Sequence, residues 1–149
     1  NLDANLERLG KMIKTGFKYL LTAFFVLSGV NHFLSPDFYL NIMPPYIPAH
    51  EVMIALSGAT EIIAGIMLAI RKLSKWGAWF IIAHLLTFFT VHIYMIQEAS
   101  TTFADLPLAV LWIRIPFQFL IIAWAFWFTR EAFADKNDTP DPETEAGAS

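Results

Sequence analysis

Two charged side chains lie within long apolar stretches of this sequence. Glu61 stands in the middle of Val52 to Ile70, and Arg114 lies about a third of the way along Leu106 to Thr129. A charge at the centre of a bilayer costs about 2.5 to 3.5 kcal/mol on insertion scales, so such residues usually face a protein interior and find a partner there. The sequence therefore predicts that Glu61 faces Arg114, either as a structural pair or in a pocket where Arg114 donates to a carbonyl or anion and Glu61 exchanges a proton.

Further polar side chains accompany these two charges. Ser57 precedes Glu61 by four residues and Gln118 follows Arg114 by four, so each pair shares one helix face. Helical rise places all of them in the same half of the protein as Asn31, His32 and His92. No residue is assigned a catalytic role. The predicted ligand or proton pocket consists of Glu61, Arg114, Gln118, His32, Asn31, His92 and Ser57.

Several chemistries are open for such a pocket. A quinone headgroup suits it, because it has two carbonyl acceptors and takes up protons on reduction. His32 and His92 are of the type that ligates a metal or a haem, but no helix carries the paired histidine spacing of a metal site, so the quinone is preferred. His84 is interpreted as a packing residue with a threonine or backbone partner. The chain contains no cysteine, which excludes thiolate chemistry.

The elements that carry these residues are predicted to be membrane spans. The chain has 149 residues, of which 56% are hydrophobic. A spanning helix needs about 20 mostly apolar residues, and the segments that reach this length are Tyr19 to Leu34 (extendable to Phe17), Val52 to Ile70, Trp76 to Ile96 and Leu106 to Thr129. The predicted fold is all-α, a polytopic membrane protein with a four-helix transmembrane bundle and a short interfacial N-terminal helix.

The division of the chain follows from its polar ends. Residues 1–16 are predicted to form a cytoplasmic interfacial helix, residues 17–130 the transmembrane domain, and residues 131–149 a disordered acidic cytoplasmic tail. Lys and Arg precede the first span, separate the second from the third and follow the fourth, whereas the other two connections have none. The positive-inside rule therefore places both termini in the cytoplasm of a multi-pass protein of a bacterial-type inner membrane.

Specific residues resemble those of the DoxX-like family of small four-helix membrane proteins. They are Gly29, Asn31, His32, Phe33 and Pro36; Met43 to Pro48; Ser57, Gly58, Glu61 and Gly65; and Arg114, Pro116, Gln118 and Trp124. The resemblance implies an inner-membrane bundle. Some DoxX-like proteins are linked to quinone-coupled sulfur oxidation and membrane oxidoreductase complexes, and one animal branch to receptor assembly.

Two functional hypotheses follow. In the first, the protein is a redox-associated subunit that binds a quinone-like or other small lipid-soluble ligand and contacts the subunits of a membrane oxidoreductase. In the second, it is a non-catalytic scaffold or assembly factor whose buried Glu–Arg pair is structural. No independent catalytic signature is present, and the net charge of −3 without a basic patch gives no support for nucleic-acid binding. The sequence leaves homo-oligomerisation open.

Overall fold

The computed structural model describes residues 2–130, which form five α-helices. These are α1 (Leu2–Leu34), α2 (Pro36–Ile42), α3 (His50–Ala69), α4 (Ser74–Gln97) and α5 (Leu108–Thr129). All except the short α2 are long and apolar enough to cross a membrane. The chain is therefore an all-α, multi-pass membrane protein, and the predicted spans are confirmed. The predicted acidic tail, residues 131–149, lies outside the described residues.

Helix α1 differs from the prediction. It runs without a break for 33 residues, about 50 Å at 1.5 Å per residue, against a hydrocarbon thickness of about 30 Å. The prediction of a separate short interfacial helix over residues 1–16 is wrong, because this segment belongs to the same helix as the first span. No proline separates the two parts, and an apolar stripe of helical period looks the same in either arrangement.

The bundle has two ends that differ in charge. At one end α1 ends, α3 begins, α4 ends and α5 begins; we call this the α2 end, because α2 lies there. The other, called the basic end, carries Arg71, Lys72 and Lys75 between α3 and α4. Neighbouring spans are thus antiparallel, with α3 between α1 and α4, and α5 against α4.

Glycines allow the closest helix contacts. A Cβ added to Gly29 of α1 would lie 2.6 Å from the carbonyl oxygen of Gly58 in α3, and one added to Gly58 would lie 2.8 Å from the carbonyl oxygen of Gly29. In α4, Gly77 lies directly against the backbone of Leu68 in α3. Small residues of this kind let helix backbones approach in membranes, and here they fix α3 against both of its neighbours.

The buried apolar core is divided in two. The larger cluster lies toward the basic end and includes Leu21, Phe25, Leu68, Ile81 and Phe128. A smaller cluster lies at the α2 end and consists of Val91, Met95, Phe103 and Leu111. Between the two clusters, α4 and α5 carry His84, Arg114 and Gln118. The polar residues therefore form a layer between two apolar cores.

Helices α1 and α5 meet toward the basic end. There the Phe17 ring packs against Trp124 at 5.8 Å and Trp127 at 6.3 Å between ring centroids. Toward the α2 end a cavity separates the two helices, lined by Phe24 and Ser28 of α1 and by Arg114 and Phe117 of α5. The bundle is therefore open along one side at the level of the polar layer.

Candidate functional site

The carboxylate of Glu61 lies at the centre of the polar layer. Its Oε1 atom is 2.9 Å from Nε2 of His84 on α4 and 3.6 Å from Nε2 of His32 on α1. Ser28 lies beside the same carboxylate. Glu61 is thus held by side chains from both helices that pack against α3.

The predicted pair between Glu61 and Arg114 does not form. Glu61 lies eleven residues into α3, about 17 Å from the α2 end, whereas Arg114 lies only six residues into α5, about 9 Å from that end. The two residues differ in depth, and α3 packs against α1 and α4 rather than against α5. The partner of Glu61 is therefore a histidine at its own depth.

His84, which was predicted to be a packing residue, has a larger role in the structure. Besides its contact with Glu61, its Nδ1 atom lies 3.4 Å from the Thr60 hydroxyl oxygen, so the expected threonine partner is present as well. Thr60 in turn donates to the carbonyl oxygen of Ser57 at 2.9 Å. His84 lies thirteen residues before the end of α4, about 20 Å from the α2 end. Measuring depth from the α2 end along α3 and α4 would have predicted that His84 and Glu61 lie at similar depth.

Arg114 has no acidic partner among residues 2–130. Its Nη1 atom lies 3.9 Å from Sδ of Met95, which is a weak acceptor, and the buried carboxylate contacts are those of Glu61 with histidines. The side chain is half-buried and lines the cavity between α1 and α5. A guanidinium so placed has donors available for an oxygen atom inside the cavity.

That cavity brings together most of the predicted site. It has a volume of about 340 Å³. The predicted residues that line it are Glu61, Arg114, Gln118, His32 and His92, and the structure adds Ser28, Tyr39 and His84. Its apolar walls include Phe25, Leu85, Phe88 and Ile121. The sequence thus identified five of the polar lining residues and missed three.

Two predicted residues lie outside this cavity. Ser57 lines a smaller neighbouring cavity of about 60 Å³, together with Met43 and Ile47 of the loop that follows α2. Asn31 is exposed, and its side-chain amide donates to the Tyr39 hydroxyl at 3.0 Å. The Tyr39 ring stacks on His32 at 3.7 Å between ring centroids. Asn31 therefore acts on the site through Tyr39, which covers His32 from the side of α2.

Several polar atoms around the cavity lack a hydrogen-bond partner. Among the described residues these include Nδ1 of His32, Oε2 of Glu61, Nδ1 of His92 and Oε1 of Gln118. The other end of the Gln118 amide is used, because Nε2 donates to the Leu85 carbonyl oxygen. Buried polar atoms are usually paired, and four of the seven unpaired ones among the described residues lie around this cavity.

The comparison with protein families gives a match over most of the chain. The profile of a family described as a domain of unknown function, DUF8561, matches residues 21–129. The chain belongs to this family. The matched segment of this DUF8561 protein contains every residue that lines the cavity. No curated protein and no solved structure matches the chain. Because the function of this family is unknown, the match does not indicate an activity for the protein. The resemblance to DoxX-like proteins remains an interpretation of the sequence.

The DUF8561 cavity has polar groups at two depths. Gln118 lies ten residues into α5, about 15 Å from the α2 end and level with Glu61 and His84. His92 lies five residues before the end of α4, about 8 Å from the α2 end and level with Arg114. In the part of the chain that the structure describes, no group of three or more His, Asp or Glu residues is arranged to hold a metal ion.

Proposed function

We propose that this DUF8561 protein binds a small lipid-soluble ligand of the quinone type in the cavity between α1 and α5. The observation that carries the proposal is the set of unpaired polar atoms on His32, Glu61 and Gln118. These side chains are only 2%, 5% and 3% exposed, and all three line the cavity. A buried polar atom without a partner costs about 1 to 3 kcal/mol. A ligand that pairs these atoms would recover that free energy on binding.

Arg114 supplies a second reason for an oxygen-bearing ligand. An arginine inside a membrane span is costly unless it is paired, and its available protein acceptor is the Met95 sulfur. Hydrogen bonds from a guanidinium to a ligand oxygen are stronger than neutral ones. The position of Arg114, about one helical turn from Gln118, allows a ligand of the size of one aromatic ring to reach both.

The shape of the cavity favours a ligand that arrives from the bilayer. Its volume of about 340 Å³ lies at the lower end of the range of small-molecule sites, about 300 to 1,000 Å³. At its edge stand Phe24 of α1 and Phe117 of α5, which are 44% and 53% exposed. Both face outward in the spanning part of their helices, where the surroundings are lipid. A quinone headgroup with an apolar tail fits this opening.

The cellular role proposed here is that of an accessory subunit of a membrane oxidoreductase. It is supported by the resemblance to the DoxX-like family and by the absence of a catalytic signature in the sequence. The distribution of Lys and Arg supports a bacterial-type inner membrane with both termini in the cytoplasm. In that orientation Arg114 lies nearer the outer surface, because it is closer to the α2 end of α5 than to the basic end, whereas Glu61 lies near the middle of α3.

The ligand is tested by analysing what the purified protein retains. Protein solubilised in a mild detergent is extracted with organic solvent, and the extract is analysed by mass spectrometry and absorption spectroscopy. We expect a stoichiometric lipid-soluble compound with oxygen substituents in the wild type. Replacing Arg114 by Gln should deplete it about 10- to 100-fold, because a hydrogen bond to a charged group is lost.

The matched control is Arg8→Gln, which makes the same substitution at an exposed position of α1. It should retain the compound at the wild-type level. Equal retention in Arg114→Gln and Arg8→Gln would contradict the proposed site. A wild type that carries no lipid-soluble compound, and takes none up when quinones are added to the membrane preparation, would contradict the proposed function.

A scaffold remains the second candidate function, and a specific contact favours it. The Glu61–His84 contact joins α3 to α4, while Glu61 also approaches His32 of α1. Such a contact fixes three helices even if nothing binds. Under the scaffold hypothesis, Glu61→Gln lowers stability and recovery of a partner protein together. Under the ligand hypothesis, the variant stays folded and loses the bound compound.

A further inference from the structure

The hydrogen bonds around His84 determine how many protons the Glu61–His84 pair holds. The single proton of the Thr60 hydroxyl is donated to the Ser57 carbonyl oxygen, the closer of its two contacts at 2.9 Å. At the 3.4 Å contact, Nδ1 of His84 must therefore carry the proton and donate to Thr60. On the opposite side of the ring, Nε2 lies 2.9 Å from Oε1 of Glu61. One further proton must lie between these two atoms for them to form a hydrogen bond.

Oε2 of Glu61 is a hydrogen-bond acceptor wherever that proton resides. If it is on Nε2, His84 is an imidazolium and Glu61 a carboxylate, and Oε2 is an acceptor. If it is on Oε1, Glu61 is a neutral acid, and Oε2 is its carbonyl oxygen, again an acceptor. In both cases the unpaired Oε2 atom can only accept a hydrogen bond.

A second acceptor lies at the same depth. Since Nε2 of Gln118 donates to the Leu85 carbonyl oxygen, the amide oxygen Oε1 is the end that remains without a partner. His92 lies beside Gln118 and Ser28 beside the Glu61 carboxylate, whereas His32 and His84 both approach Oε1 of Glu61. The deeper level of the cavity therefore presents acceptors, with Oε2 of Glu61 the clearer of the two. About one helical turn toward the α2 end, the Arg114 guanidinium presents donors only.

We infer that the ligand carries a hydroxyl group that donates to Oε2 of Glu61, so that the site prefers a hydroquinone or similar phenol over the corresponding quinone. A quinone offers only acceptors and would leave Oε2 unpaired. A hydroquinone donates at the deeper level, and its second oxygen can still accept from Arg114. This inference rests on the proposed function, since it specifies which form of the ligand occupies the same cavity.

The test compares three ligands of one size. Tetramethylhydroquinone, tetramethylbenzoquinone and the dimethyl ether of the hydroquinone share a ring and its methyl groups, but only the first has hydroxyl donors. Binding to the wild-type protein in phosphatidylcholine nanodiscs is measured by equilibrium dialysis without oxygen. We expect the hydroquinone to bind about 10- to 100-fold more tightly than either of the others, which is the factor expected when a buried acceptor would otherwise stay unpaired.

The possible failures are distinguishable. If the quinone binds as tightly as the hydroquinone, or more tightly, the inference is overturned while the proposed function stands. If the ether matches the hydroquinone, the hydroxyl proton is irrelevant and the inference is again overturned. If none of the three ligands binds, the proposed function itself fails.

A variant connects the preference to Glu61. In Glu61→Leu, which removes both carboxylate oxygens, the hydroquinone should lose its advantage over the quinone, while the affinity for the quinone stays near the wild-type value. Glu51→Leu is the matched control, since Glu51 is exposed at the start of α3 and lies outside the cavity. An unchanged hydroquinone preference in folded Glu61→Leu would overturn the assignment to Glu61. If this variant does not fold, the comparison of ligands on the wild type decides the inference alone.

Discussion

Replacing Gly29 by Ala should separate α1 from α3 at the level of the polar layer. The added Cβ would lie 2.6 Å from the Gly58 carbonyl oxygen, 2.7 Å from Cγ1 of Ile62 and 3.0 Å from Cβ of Glu61. Ordinary contacts of a Cβ begin at 3.4 Å, so α1 must move by about 0.8 Å. The Gly58 oxygen cannot rotate away, because it belongs to the backbone of α3.

The expected cost follows from two opposing effects. Overpacking a tight contact typically costs about 1 to 3 kcal/mol, and a clash with backbone falls in the upper part of this range. Alanine favours a helix over glycine by about 1 kcal/mol. The net decrease in the free energy of unfolding should therefore be about 1 to 2 kcal/mol. The 3.6 Å contact between His32 and Glu61 should lengthen as well, because these residues lie on the two separating helices.

The assay is an SDS titration of the protein in mixed micelles, followed by far-UV circular dichroism and tryptophan fluorescence. Gly16→Ala serves as the control, since nothing lies within 4 Å of a Cβ at this position of the same helix. It should leave stability unchanged or raise it by up to about 1 kcal/mol. Equal free energies of unfolding for Gly29→Ala and Gly16→Ala would refute the packing argument.

Two further predictions concern the buried pair and the orientation. His84→Leu should cost about 1 to 3 kcal/mol, because Glu61 loses its closest partner. Combining it with Glu61→Leu should recover part of this loss in the same titration, whereas additive losses would contradict direct coupling. Since the chain has no cysteine, a membrane-impermeant maleimide applied to intact cells should label Thr101→Cys but not Lys72→Cys, both sites being exposed in the described chain. The opposite pattern would reverse the proposed topology.

The membrane-spanning helices could be predicted almost completely from the sequence. Helices α3, α4 and α5 begin and end within two residues of the predicted spans. Such agreement is expected, because a lipid-facing helix must be apolar over a length fixed by the bilayer. Helix α2 was not predicted, since its seven residues are too few to cross a membrane or to show a clear helical period.

The members of the site were predicted better than their partners. An ionisable residue within an apolar run indicates a buried polar region whatever the packing. Glu61 and Arg114 were found in this way, and Gln118 by its spacing of four residues from Arg114. Charge complementarity then indicated a pair between Glu61 and Arg114, whereas the structure pairs Glu61 with His84 and His32. His84 was missed because charge complementarity was weighed before depth, which would have placed His84 level with Glu61.

By itself, the sequence determined which segments enter the membrane and that a polar layer crosses the bundle, because both depend on the transfer of side chains from water to hydrocarbon. Only the tertiary structure decided that Glu61 is held by His84 and His32, that Arg114 lacks an acidic partner among the described residues, and that α1 and α5 separate to leave a cavity. These features depend on helix order and rotation, which are set by contacts such as that of Gly29 with Gly58. Hydropathy does not determine such contacts, because the glycines and apolar residues that make them could equally face lipid.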